Sequence, residues 1–263
     1  NFCVTPNGNH NDLEITLLPI IPARPGFDAV YKLVLKNKGN QTQSGNINLI
    51  FPDDVLDYIS ATPAINGQSL NNLNWNFINL QPFETRKIKF ILNANSPTET
   101  PPLNSGNNLN YIATISSTFI DENNSDNISN INQKVFNSFD PNQKNCLEGE
   151  TISTEKIGDY VHYIIQFENL GTANATNVRL KDYIDLSKFD INTLTPISAS
   201  HPFTTRITDA NRVEFIFEYI NLPFDDENND GYVVFKIKTI STLILGDSFS
   251  NNASIYFDFN FPI

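Results

Sequence analysis

The residues best suited to chemistry sit in one short stretch, "DDENNDGYVVF", at 225–235. Asp226, Asn228 and Asp230 alternate there, and Gly231 follows. Such a run is the opening of an EF-hand-type calcium loop. That loop needs oxygen ligands at positions 1, 3 and 5, a Gly at 6 and a bidentate Glu at 12. With Asp226 placed first, the twelfth position is Ile237, which cannot ligate. The backbone carbonyl of Tyr232, with Asp225 or Glu227 replacing the missing Glu, would complete a weak site for a hard cation. The same residues also make an ordinary acidic turn, because Asp230-Gly231 supplies the positive φ of a tight hairpin. The expected cofactor set is none, with Ca2+ as the one candidate.

The other candidates are thinner. "DENNSDN" at 121–127 offers Asp121, Asn123 and Asp126 at a spacing that fits no ligand motif. Trp75, in "NLNWNFINL", is either an exposed platform for stacking a sugar or a core residue, and large aromatics favour the core. His10, His162 and His201 are scattered, with no nucleophile motif beside them, and no His or Cys spacing suits a transition metal. Cys3 and Cys146 open the two halves of the chain. One domain length should separate them, against a Cα limit of about 7 Å for a disulfide, so they are expected not to pair with each other. A cysteine outside this stretch of chain stays open as a partner. No catalytic residue emerges. Asp225, Asp226, Glu227 and Asp230 could pose as glycosidase carboxylates, but they share one loop and no pocket is implied, so the chain is expected not to be an enzyme.

Composition narrows the classes further. Asp and Glu number 29 against 17 Lys and Arg, a net charge of −12. Nucleic acid is excluded as a partner, since binding it depends on neutralising phosphates. An anionic membrane surface is disfavoured for the same reason. No stretch approaches the roughly 20 apolar residues that span a bilayer, and the first residues, "NFCVTPNGNHND", do not read as a signal peptide. The chain holds no Met, which predicts a piece processed or excised from a longer protein.

The elements that must position any site are strands, laid out twice. "GFDAVYKLVLKNKGNQTQSGNINL" (26–49) aligns with "GDYVHYIIQFENLGTANATNVRL" (158–180), placing Gly26 on Gly158, Tyr31 on Tyr163, Asn37 on Asn169 and Gly39 on Gly171. "FINLQPF" answers "YINLPF", and "GNNLNYIATI" answers "GDSFSNNASI". A unit used twice implies two similar domains. Within each, apolar residues recur with period two. One face carries Val161, Tyr163, Ile165 and Phe167; others carry Val213, Phe215, Phe217 and Tyr219, or Ala253, Ile255, Phe257, Phe259 and Phe261. That period marks half-buried antiparallel strands. The expected fold is all-β: two tandem immunoglobulin-like antiparallel β-sandwiches, 1–137 and 138–263, of about seven strands each. The polar stretch "NSFDPNQKNCLEG" (137–149), which contains Asp140, marks the junction. "LKDYIDLSKFD" (180–190) is the best helical candidate, short enough to be only a turn of helix between strands, and "SPTETPPLNSGNN" (96–108) should be a loop. The terminal "ASIYFDFNFPI" should pair within its own sheet.

From "DPNQKNCLEGE" through "GDYVHYIIQFENLGTANATNVRLKDYIDLSKFDINTL", "VEFIFEYINLPF" and "GYVVFKIKT" to "SNNASIYFDFNFPI", the second half resembles a repeat domain of Bacteroidota surface proteins. In those proteins the domain commonly precedes a C-terminal sorting domain read by the type IX secretion system. The first half, through "DLEITLLPIIPARPGFDAVYKLVLKNKGN" and "DENNSDN", resembles the cell-adhesion-related bacterial immunoglobulin-like domain. The resemblance implies a secreted protein on the bacterial cell surface. Its implied partners are other domains of the same polypeptide and, through a sorting domain outside this sequence, the type IX machinery. It implies no membrane insertion of this segment and no catalytic residues. The expected role is a non-catalytic structural or adhesive module, a stalk or spacer. The alternative is a ligand- or glycan-binding module accessory to an exported enzyme or adhesin, with exposed aromatics near Trp75 or Phe83.

Overall fold

The period-two stripes become strands, and their apolar faces close on each other in pairs of sheets. The computed structural model describes residues 7–138, 140–225, 228–250 and 252–263. Cys3, Asp226 and Glu227, named above, lie outside the described residues. The chain divides into two units, Asn1–Ser138 and Phe139–Ile263. Each has its own hydrophobic core.

Unit 1 contains β1 (Leu13–Ile21), β2 (Asp28–Asn37), β3 (Gln43–Ile50), β4 (Leu56–Thr62), β5 (Gly67–Ser69), β6 (Asn72–Leu80), β7 (Thr85–Ala94), β8 (Asn108–Ser117) and β9 (Ile128–Lys134). Unit 2 contains β10 (Gln143–Cys146), β11 (Tyr160–Glu168), β12 (Val178–Tyr183), β13 (Phe189–Ala199), β14 (Thr204–Thr208), β15 (Arg212–Phe217), β16 (Asp230–Thr239) and β17 (Ala253–Phe257). The sheets of unit 1 run β1-β2-β7-β4 and β5-β6-β3-β8-β9. Those of unit 2 run β10-β11-β16-β13 and β14-β15-β12-β17. Strand for strand the order is the same, and β9 is the addition in unit 1. Every ladder is antiparallel. The fold is therefore two tandem immunoglobulin-like β-sandwiches, with nine and eight strands among the described residues rather than about seven.

The duplication reaches into side chains. Asn37 is buried at the end of β2, and its Nδ2 donates to Gln41 O (2.8 Å) and Leu80 O (3.0 Å) while Gly39 N donates to its Oδ1 (3.0 Å). Asn169 does the same in unit 2: Nδ2 donates to Ala173 O (2.9 Å) and Leu222 O (3.1 Å), and Gly171 N donates to Oδ1 (3.1 Å). Each Asn clamps the loop leaving its strand to an "INL" segment, at the end of β6 in unit 1 and just past β15 in unit 2. Gly26 and Gly158 match as well, with φ +80° and +77°, each against a serine, Ser96 and Ser241. Only glycine adopts that backbone at little cost. Asn37→Ala and Asn169→Ala should each lower the stability of their own unit by about 2–4 kcal/mol, since each strands buried carbonyls. Trp75 is the only tryptophan, so the fluorescence midpoint in urea should fall for Asn37→Ala, while Asn169→Ala should shift only the circular-dichroism transition of unit 2.

Two expectations are corrected. Tyr219 does not share the inward face of Phe217: β15 ends at Phe217, and Tyr219 takes φ +58° and is exposed. Phe259 and Phe261 are not core residues either, at 103% and 96% exposure. Asp258, at φ +51°, ends β17, and the chain returns so that Ile263 and Ile255 exchange both backbone hydrogen bonds at 3.0 Å. The candidate helix is β12, a turn and the start of β13; Phe189 N donates to Asp185 O across the turn (2.9 Å). A single 3-10 turn, Thr154–Lys156, is the one helical element among the described residues. The segment 96–107 is loop, as its prolines require.

Candidate functional site

The acidic loop of unit 2 does not assemble a cation site from its described members. β16 begins at Asp230, which pairs with Glu168 in the ladder. The Tyr232 carbonyl, the expected ligand, accepts from Ser200 N at 3.0 Å instead, because it lies inside the sheet. Asp225 Oδ1 accepts from Asn228 N at 3.2 Å, which is turn chemistry.

Carboxylates do converge in unit 1. Asp12, Asp121 and Asp126 each offer an oxygen within 4.8 Å of the others. Asp12 immediately precedes β1, and Asp121 and Asp126 lie in the loop before β9. Lys38, just past β2, sits among them. Its Nζ pairs with Asp126 Oδ2 and lies 3.1 Å from Asp12 Oδ1 and 4.0 Å from Glu14 Oε2. The backbone holds the cluster closed: Lys38 N and Gly39 N both donate to Asp12 O, at 2.7 and 3.2 Å. A Cβ on Gly39 would lie 2.3 Å from His10 O, so no larger residue fits under that crossing. Both oxygens of Asp121 accept from the backbone, Oδ2 from Leu13 N (2.8 Å) and Oδ1 from Asn123 N (2.9 Å).

The electrostatics follow from burial and crowding. Burial pushes the Lys38 amine down, but hydrogen bonds and charge from Asp126 and Asp12 more than offset this, and its pKa rises. Burial raises the Asp126 carboxyl; Lys38 opposes the shift, Asp12 and Glu14 reinforce it, and the net direction is up. One ammonium is shared among several carboxylates. As a test of fit for Ca2+, the donor set is oxygen-rich and Asp126 Oδ1 is buried without a hydrogen-bond partner, but the Lys38 ammonium occupies the place between Asp12 and Asp126. The arrangement staples three segments far apart in sequence. Asp12 and Lys38 carried no sequence signal beyond their places, one residue outside β1 and β2.

The remaining candidates are structural. Trp75 is 1% exposed, its Nε1 donates to Pro63 O (3.1 Å), and its ring lies 6.0 Å from that of Phe90. It offers no face to a sugar, because the inward stripe of β6 carries it into the core. Phe83, at φ +62°, is exposed. His10 Nδ1 pairs with Glu122 Oε1 (2.8 Å); the Asn7 carbonyl first, then Glu122, lift its pKa. His162 Nδ1 pairs with Glu148 Oε1 (2.7 Å). His201 Nδ1 meets Ser200 Oγ (2.8 Å), yet that oxygen also accepts from Tyr232 N (2.9 Å), which ties it to the strand. Burial lowers the His201 pKa against the opposing charge of Asp230. Cys146 is a free thiol, pushed up by burial and by Glu148. Asp140 Oδ1 accepts from Asn142 N (2.9 Å). An open cleft of about 520 Å³ is lined by Phe189, Asp190, Asn192, Lys238 and Thr239 among others, and Asp190 is its single carboxylate.

The most unusual group is buried in unit 2. Lys144 Nζ lies 2.5 Å from Asp182 Oδ2, with the two side chains 3% and 0% exposed. Period two puts Lys144 in the inward stripe of β10 and Asp182 in that of β12, beside Val178 and Leu180. A charge at an inward position was the signal for this pair.

Residues 140–263 match the family model DUF7619, a domain of unknown function. That segment covers most of unit 2, the Lys144–Asp182 pair included. No curated protein matches the chain. Among solved structures, the chain is similar to the CARDB domain of the PF1109 protein from Pyrococcus furiosus, solved in complex with di-metal ions. The identity is 16%, over 48% of this chain and 90% of that one, at a TM-score of 0.35. It is similar to the collagen adhesin CNA from S. aureus at 13% identity, over 95% and 87%, with a TM-score of 0.30. It is also similar to the Enterococcus faecalis MSCRAMM ACE at 11% identity, over 97% and 89%, with a TM-score of 0.29. No ligand or role is carried over from these likenesses.

Proposed function

We propose that this chain is a non-catalytic structural module of a secreted, surface-displayed multidomain protein, in which it serves as a stalk or spacer. The observation that carries this reading is the duplication itself: one sandwich built twice, with the same strand order and the same Asn clamp. Repetition of a closed unit adds length without adding a site. The polar groups that could have done chemistry support it. His162, Lys38, Lys144 and Asp121 are spent on contacts within their own sandwiches. The excess of negative charge suits an exposed, soluble module. Export by the type IX route belongs to the same reading and rests on the resemblance of 138–263 to Bacteroidota surface repeats. The partners are then the flanking domains of the parent polypeptide.

The test is a replacement in the parent protein. Exchanging residues 1–263 for two unrelated sandwiches of similar length should preserve surface display and activity, while deleting them outright should impair both. Loss of activity on exchange, with display intact, would overturn the spacer and favour the ligand-binding alternative.

A further inference from the structure

Lys144 and Asp182 form a pair that the fold does not require. Lys144 faces Ile165 in the ladder as Leu17 faces Leu33. Asp182 follows Leu180 by two residues, as Phe51 follows Leu49. Unit 1 therefore fills the two equivalent places with Leu17 and Phe51, both fully buried. Exchanging a buried ion pair for well-packed apolar residues is commonly neutral or stabilising. The charged version thus calls for a reason other than packing.

The geometry supplies one. The two side chains come from facing sheets, β10 and β12, and meet at 2.5 Å in the core. Lys144 Nζ lies over the rings of Tyr163 (4.6 Å) and Phe235 (5.2 Å). Asp182 Oδ1 has no hydrogen-bond partner. We propose that Lys144 and Asp182 condense into an intramolecular isopeptide bond, Nζ to Cγ, which ties the first strand of unit 2 to the opposite sheet.

Burial prepares both groups. It lowers the Lys144 amine to about 8, against the pull of Asp182. It also raises the Asp182 carboxyl, with Lys144 opposing. Both shifts favour the neutral amine and the neutral acid, the forms that condense. Nζ attacks Cγ, the C–N bond forms and one C–O bond breaks. The departing oxygen takes the carboxyl proton and one amine proton and leaves as water. No oxidant or cofactor is needed. Contact between the reacting groups replaces a bimolecular encounter, and the amide buries no charge, which removes the cost of holding two ions in the core.

Intact mass of the folded full chain decides the matter. The protein should be lighter than its sequence by one water, and trypsin should release a branched peptide joining the segments that hold Lys144 and Asp182. Lys144→Arg should have its full sequence mass. So should the double variant Lys144→Leu/Asp182→Phe, which copies unit 1 and is expected to fold. A folded wild-type chain at full mass would overturn the proposal and leave a plain ion pair. A missing water that persists in the double variant would overturn it too, by placing the loss elsewhere, for example at Asp230-Gly231, where succinimide closure expels water.

Discussion

A chain that stops at residue 252 will lose the unfolding transition of unit 2 and keep that of unit 1. β17 pairs with β12 from Val178↔Phe257 to Asp182↔Ala253. Its Ile255 is buried, and Phe257 meets Phe167 edge-on at 6.4 Å. Just beyond it, the Asp258 carboxylate receives Asn177 N (2.8 Å) and Thr176 N (3.1 Å). Burying one large apolar side chain contributes about 1.5–3 kcal/mol. Removing Ile255 and Phe257, exposing Val178 and Leu180, and orphaning one side of β12 together reach the roughly 5–15 kcal/mol that holds a domain folded. Far-UV circular dichroism in urea should show one cooperative transition in place of two, with the Trp75 fluorescence midpoint unmoved. A truncated chain that still shows both transitions would contradict the assignment of β17 to the core.

Lys144→Met alone should be less stable than Lys144→Met combined with Asp182→Leu, by about 3–5 kcal/mol at neutral pH. Both variants lack the amine, so neither has an ion pair or a cross-link. They differ in whether a carboxylate remains in the core without a partner, and an uncompensated buried charge costs about that much. The sign with pH is set by Asp182. Its folded pKa is raised by burial, so the penalty is full above that raised value, declines as pH falls below it, and is gone only below the ordinary carboxyl value of the unfolded chain, where both states are protonated. Urea midpoints for unit 2 should therefore converge in acid and separate toward neutrality. Equal stability of the two variants at neutral pH would mean that Asp182 reaches water in the folded protein.

Much of the architecture was legible in the sequence because period two is a geometric signal. Val161, Tyr163, Ile165 and Phe167 alternate in the chain and all four face the core. The stripes carried no mark of where they stop. "RVEFIFEYI" alternates through Tyr219 and "ASIYFDFNF" through Phe261, yet backbone turns at Tyr219 and Asp258 end both strands first. Those turns depend on positive φ at residues that are not glycine, which composition does not reveal. The acidic loop at 225–232 drew attention because its residues are close in sequence. The carboxylates that do meet, Asp12 with Asp121 and Asp126, are more than a hundred residues apart and come together through the pairing of strands. Trp75 illustrates the reverse: its identity suggested a binding face, and its place in the stripe of β6 decided otherwise.

Two copies of one sandwich on a single chain run a particular hazard, since each can offer its first strand to the other while folding. The interior difference between the copies works against that exchange. β1 inserted into unit 2 would set Leu17 against Asp182, leaving an acid alone among hydrocarbon. β10 inserted into unit 1 would press an ammonium against Phe51. Each swapped assembly carries a penalty that the correct one avoids, so the same two side chains act as a private key by which each half recognises its own opening strand.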